Sequence, residues 1–304
     1  MYADRIARVL VCDMGMPDRV ASEMNAINAN ELPPKSVSDA ELAAMFAAEG
    51  VRDALIGLVR WHEEMAGLPA RIKEPMIGAM RLAWHREAAE ALFADPAVVR
   101  RNPVIEGLAT AVAAQGGPEL AEIQAILDAH AADFEGNRFE TIEAMSARAD
   151  ATDGAVMRIA ARLLSGGEGI SDSDSRAIDL AGRCRGLVNL ALAFPVRAGR
   201  GLAALPDTAL DDAGLTPARL ATGREPDKAR AAFVPVLAAA RTAHDDLRQQ
   251  RVSALVFPAI GHAALCPSYL KRLEAARDPY RAWTQPPLIQ RQIRLIFSSF
   301  SGKL

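Results

Sequence analysis

The sequence predicts an all-α protein, a large helical bundle, and three observations carry that prediction. Alanine supplies 61 of the 304 residues while aromatic residues make up 5%; alanine is the strongest helix former, whereas strands favour β-branched and aromatic side chains. Apolar residues recur at helical spacing over long stretches, and strand-type alternation never runs beyond a few residues. Half of the residues are hydrophobic and 24% are charged, which excludes a mostly disordered chain. Length alone admits one large domain or two ordinary ones.

The elements follow in order. The opening segment to about Ala29 is helix-compatible but weakly patterned, and ELPPKSVSDAEL breaks it. Ser38 followed by Glu41 has the spacing of a capping box. Met76, Met80 and Trp84 fall on one helical face, with Ile77 and Leu92 near in phase. Pro118 suits a first turn, and Leu120, Ile123, Ile126, Leu127 and Phe134 form the stripe that follows. Phe139 to Leu164 reads as another long helix, ended by SGGEG and the acidic SDSDS. Ile178 to Leu192, then Asp227 to Gln250, read as two more.

Val252 to Leu270 carries no charge over 19 residues but contains Pro258, Gly261, His262 and Pro267. A buried core helix is the better reading than a membrane span. In the tail LIQRQIRLIFSSF, the residues Leu288, Ile289, Ile293, Ile296 and Phe297 share a face, with Arg291 and Arg294 off it. The ordinary reading is a helix docked on the core by that face; the sharper one is contact with a membrane surface.

Charge and cysteine narrow the function classes. With 35 basic and 38 acidic residues, net −3, there is no excess to neutralise a phosphate backbone, so nucleic acid is excluded as a main partner. Cys12, Cys184 and Cys266 are scattered and odd in number, which fits a reducing compartment. The apolar run in MYADRIARVLVCDMG is too short for a signal peptide and has an acid at Asp4. The expectation is a cytoplasmic protein.

Familiar catalytic signatures are missing. GGEG lacks the ending of a phosphate loop. His62, His85, His130, His244 and His262 show no metal spacing, and each reads as an ordinary core or surface histidine. WHEEM resembles half of a zinc motif, but Ala66 stands where the second histidine belongs.

One constellation stands out. EPMIGAMRLAWHREAAEALF carries Arg81, Trp84, Arg86 and Glu87; 130–165 carries Asp133, Phe139 and Gly154; GLVNLALAFPVRAGRGLAALP carries Asn189, Gly201 and the Leu205–Pro206 pair. In this order and spacing, from about residue 50 to 285, the chain resembles the squalene/phytoene synthase family. The resemblance implies an N-terminal helical extension over 1–45 and one synthase-like helical domain over 46–304.

The family's head-to-head condensation of prenyl diphosphates implies Mg²⁺ held by two Asp-x-x-x-Asp motifs, because a leaving pyrophosphate needs hard oxygen-bound cations. Against that pattern Ala193 and Arg197 stand at the second motif, and Ala66 and Ala70 at the first. A methyl binds no Mg²⁺ and a guanidinium repels it. Glu63 and Glu64 are the nearest acids, readable as a residual metal site or, more ordinarily, a solvated helix edge. Arg81 and Trp84 read as pocket lining or core, and Arg197 and Arg200 as a phosphate-attracting pair or a solvated loop face.

The chain most resembles the aspartate-lacking branch known as complex I assembly factors, sharing the helix start from Lys73 to Trp84 and a tail after Asp278–Pro279. That implies a pseudoenzyme with no cofactor, binding a complex I subunit or assembly intermediate, or a prenyl lipid, peripheral to the inner membrane. The alternative is a prenyltransferase with a non-standard metal site and Mg²⁺; a lipid carrier is a third reading.

Overall fold

The computed structural model describes residues 37–95, 99–281 and 285–304, so the opening segment and Cys12 lie outside the described residues. Every regular element among them is helical, and Ser38–Leu304 forms one compact unit.

Helix α1 (Asp39–Ala44) starts on the capping box read from the sequence: the Ser38 hydroxyl accepts from Glu41 N–H at 3.0 Å, and the Glu41 carboxylate accepts from Ser38 N–H at 3.0 Å. Helix α2 (Glu49–Arg71) buries Leu55, Leu58, Trp61, Met65 and Leu68 at helical spacing. Helix α3 (Pro75–Ala94) opens on a proline at its first position. Helices α4 (Pro103–Ala113) and α5 (Leu120–Ala131) follow. Pro118 lies before the start of α5, whose N-cap is Glu119.

The long helix expected over 139–164 begins later and is interrupted. Helix α6 (Ile142–Ala149) runs into a π-turn over Asp150–Gly154 and out into α7 (Ala155–Leu164); such a turn inserts a residue and re-aims side chains. Helix α8 (Asp172–Leu192) is capped by Ser171, so it starts six residues before the expected Ile178. Short helices α9 (Phe194–Gly199), α10 (Asp207–Asp212) and α11 (Pro217–Ala221) lead to α12 (Pro226–Arg248).

The uncharged stretch is buried, but it is not one helix. It folds as α13 (Phe257–Ile260), a 3₁₀ turn over Gly261–Leu265 and the first half of α14 (Cys266–Ala275). Pro258 and Pro267 each sit in a first turn, where proline needs no helical N–H. No helix among the described residues is long and apolar enough to cross a membrane.

Helix α15 (Leu288–Ser301) corrects another expectation. It turns Arg291, Leu295 and Ser298 inward, while Phe297 and Phe300 are 69% and 87% exposed. The inward side is fixed by an ion pair, Arg291 Nε to Asp39 Oδ1 at 2.6 Å, so polar anchoring decides which face docks.

Helix contacts rest on small residues. A Cβ on Gly57 of α2 would lie 2.1 Å from the Gly107 carbonyl oxygen of α4, and one on Gly182 of α8 would lie 2.4 Å from Gly154 Cα. These absent side chains let α2 meet α4 and let α8 meet the π-turn at backbone distance.

Candidate functional site

Three elements meet at the π-turn. Because α8 approaches it at Gly182, residues one and two turns further along the same face, Arg185 and Asn189, reach the same place. The turn presents Asp153, and α2 brings His62, Glu63 and Ala66 to it. With His262 from the 3₁₀ turn, these side chains line a cavity of about 70 Å³.

Asp153 organises the cavity. Its Oδ1 accepts from Asn189 Nδ2 at 2.7 Å and lies 3.6 Å from His62 Nε2. Burial opposes its charge, but His62 and Arg185 outweigh burial and hold the carboxyl below the usual carboxylate range. Burial pushes the Glu63 carboxyl upward, against a hydrogen bond with Ser38. Burial, seconded by Arg185, lowers His262 to about 3. His62 Nδ1 and His262 Nδ1 have no hydrogen-bond partner among the described residues. The cavity therefore offers two unpartnered imidazole nitrogens beside a buried carboxylate, where a small polar group could bind.

Two buried ion-pair clusters flank this arrangement. In one, Asp39 Oδ2 accepts from the Tyr269 hydroxyl at 2.6 Å and lies 2.9 Å from Arg185, while Oδ1 takes Arg291. In the other, Asp133 bridges Arg148 at 2.9 Å and Arg197 at 2.6 Å, and Arg197 Nε donates to the Ala203 carbonyl at 2.7 Å. Burial would raise both aspartates, but their arginines hold them below the ordinary value. His130, packed against His62 with ring centroids 5.6 Å apart, links the second cluster to the cavity, and burial keeps it well below the ordinary imidazole range.

The candidate residues separate in space. Glu63, Ala66 and Asn189 line the cavity, so Glu63 is not at a solvated edge. Glu64 instead pairs with Arg71 at 2.9 Å and borders a surface groove with Arg81 and Trp84. Trp84 is half-buried, with the guanidinium groups of Arg81 and Arg100 each 5.3 Å from its ring. Arg86 pairs with Asp128, and Glu87 with Arg100 at 3.3 Å, and neither lines the cavity.

The solvated loop face expected for Arg197 and Arg200 gives way to two structural roles. Arg197 is buried against Asp133. Arg200 donates to the carbonyls of Pro69, Ala70 (2.6 Å) and Ile72 (3.1 Å), closing the C-terminus of α2, where carbonyls lack helical partners. Ala193 joins α8 to α9, and Ala70 is exposed at the end of α2.

Sequence reading missed Asp153, Arg185, His62 and His262 as site residues. The spacing Gly182, Arg185, Asn189 along one helix face was a readable signal; the π-turn that aims Asp153 has none.

No curated protein matches the sequence. The fold is similar to that in a crystal structure of squalene synthase HpnC from Alicyclobacillus acidocaldarius, with a TM-score of 0.57 and 15% identity over 86% of this chain and 88% of that one. Residues 34–292 match squalene/phytoene synthase as a family, a span holding the cavity and both ion-pair clusters, and the chain belongs to the squalene/phytoene synthase family.

Proposed function

We propose that the protein is a non-catalytic member of its family, a binding protein that acts in assembly of respiratory complex I. The observation that carries the non-catalytic reading is the size of the cavity. A ligand site for a drug-sized molecule spans about 300–1,000 Å³, whereas about 70 Å³ holds on the order of two or three waters.

The donor set supports the same reading. Mg²⁺ wants several oxygen ligands with little competition. Here Asp153 is already engaged by Asn189 and His62, Arg185 borders the same space, and Arg197 neutralises Asp133. Among the described residues, no group of three His, Cys, Asp or Glu side chains is placed to hold a metal ion. These residues do not fit the metal that the family chemistry needs.

A partner surface is available elsewhere. Met76, Ile77 and Met80 of α3 are 76%, 52% and 65% exposed, beside the groove that Trp84 borders. Exposed apolar clusters of this kind mark interaction sites. The complex I assignment rests on the resemblance of the Lys73–Trp84 segment and the missing second aspartate motif.

Two measurements test the proposal. Incubation with farnesyl or geranylgeranyl diphosphate and Mg²⁺ is expected to release no pyrophosphate; release that Glu63→Ala abolishes establishes the prenyltransferase alternative, which the placement of Glu63 and Asp153 in one cavity favours. Deletion of the gene is expected to lower complex I activity and its membrane subunits, and M76S/M80S to fail in restoring them. Normal complex I after deletion rejects the assembly role.

A further inference from the structure

Helix α15 is amphipathic in the inverse sense. With about 3.6 residues per turn, Ile289, Ile293 and Phe300 fall opposite the buried Leu295, and Ile296 and Phe297 flank them. The isoleucines are half-buried, while the two phenylalanines stand out in solvent. The core takes up an arginine, a leucine and a serine, and the largest apolar side chains of the helix are left outside. Folding alone gives no reason for that arrangement, because exposing two phenylalanine rings gains nothing that a polar residue would not provide.

Charge along the helix segment is one-sided. From Gln285 to Leu304 the chain has Arg291, Arg294 and Lys303 and no acid, although the whole protein is net negative. Arg291 is consumed by Asp39; Arg294 and Lys303 are exposed, although Arg294 Nε donates to the Ala264 carbonyl at 3.2 Å. The surface is a convex helix of about 21 Å, not a groove, so it matches a flat partner better than an inserted peptide. At 14 residues it is too short to span a bilayer.

We propose that the outer face of α15 rests on an anionic lipid surface, with Phe297 and Phe300 inserted at the level of the headgroups and Arg294 and Lys303 against lipid phosphates. The helix lies in the plane of the membrane and the bundle stays in water. The proposal stands on this face alone and is independent of whether the cavity acts.

The test is co-sedimentation of the full chain with vesicles of phosphatidylcholine and phosphatidylglycerol in equal parts, beside vesicles of phosphatidylcholine alone. Expected is binding to the mixed vesicles that weakens with salt and falls about tenfold or more in F297S/F300S. R294Q/K303Q is expected to lose the preference for the anionic vesicles. Thermal melts show that each variant is folded, and V234S, at an exposed valine of α12, is expected to bind as the wild type does. The proposal is overturned if the wild-type chain stays in the supernatant, or if F297S/F300S binds equally well. It is also overturned if F297S/F300S abolishes a dimer in lipid-free buffer, which identifies a second copy as the occupant.

Discussion

Arg197 and Asp133 form a buried ion pair, with nitrogen and oxygen 2.6 Å apart, between helix α9 and the end of α5. By the family resemblance, an aspartate belongs where Arg197 stands. Here that position holds a guanidinium, and Asp133 is its counter-ion. Removing one partner of such a pair leaves a buried charge uncompensated. Arg197→Ala is therefore expected to destabilise the fold by about 3–5 kcal/mol, read as a lower urea midpoint at pH 7. A loss within about 0.5 kcal/mol would mean that Arg148 alone satisfies Asp133.

Acid sensitivity should begin near neutrality. His262 is lowered to about 3, His85 to about 4, and His130 well below the ordinary value of 6.5, in each case first by burial. A histidine with a depressed folded pKa binds its proton more readily when unfolded. Stability is therefore full above about pH 6.5 and falls as the pH drops toward those folded values, by roughly 1.4 kcal/mol per pH unit for each histidine. Asp39 and Asp133 are also depressed, but their contribution persists above about 3.8 and is lost only below it. Urea melts between pH 7 and 4.5 check the slope, and His262→Asn should reduce it by one histidine's share.

Gly182→Ala is expected to cost about 1–3 kcal/mol by overpacking, because its methyl would meet the backbone of Gly154 at 2.4 Å. The π-turn must yield, and Asp153 moves with it. A chemical-shift change at His62, whose Nε2 lies 3.6 Å from Asp153 Oδ1, would show the displacement. An unchanged His62 spectrum with a lower melting temperature would confine the effect to packing.

Much of the helical order is legible in the sequence. The capping box at Ser38, the stripe of α5 and the Asp227–Gln250 helix follow from local periodicity, which is a property of neighbouring residues. What local pattern misled about was direction. Leu288, Ile289 and Phe297 pointed to the docked face of α15, yet Arg291 goes inward, because Asp39 offers it a partner 252 residues away. The same holds for Arg197 and Arg200, which read as loop cations until Asp133 and the α2 carbonyls are seen beside them. That Ala66, Ala70, Ala193 and Arg197 are not carboxylates is visible in the sequence; that Asp153 faces the cavity is not, because a π-turn decides it.

Asp39 serves three residues at once: Arg185 at the cavity, Arg291 in α15 and Tyr269. The carboxylate is thus a shared creditor between the interior and the outer helix. With Arg185 and Tyr269 on one oxygen and Arg291 on the other, one buried carboxylate ties the first described helix to α8, α14 and α15 together, so Asp39→Asn would loosen all of these attachments at once.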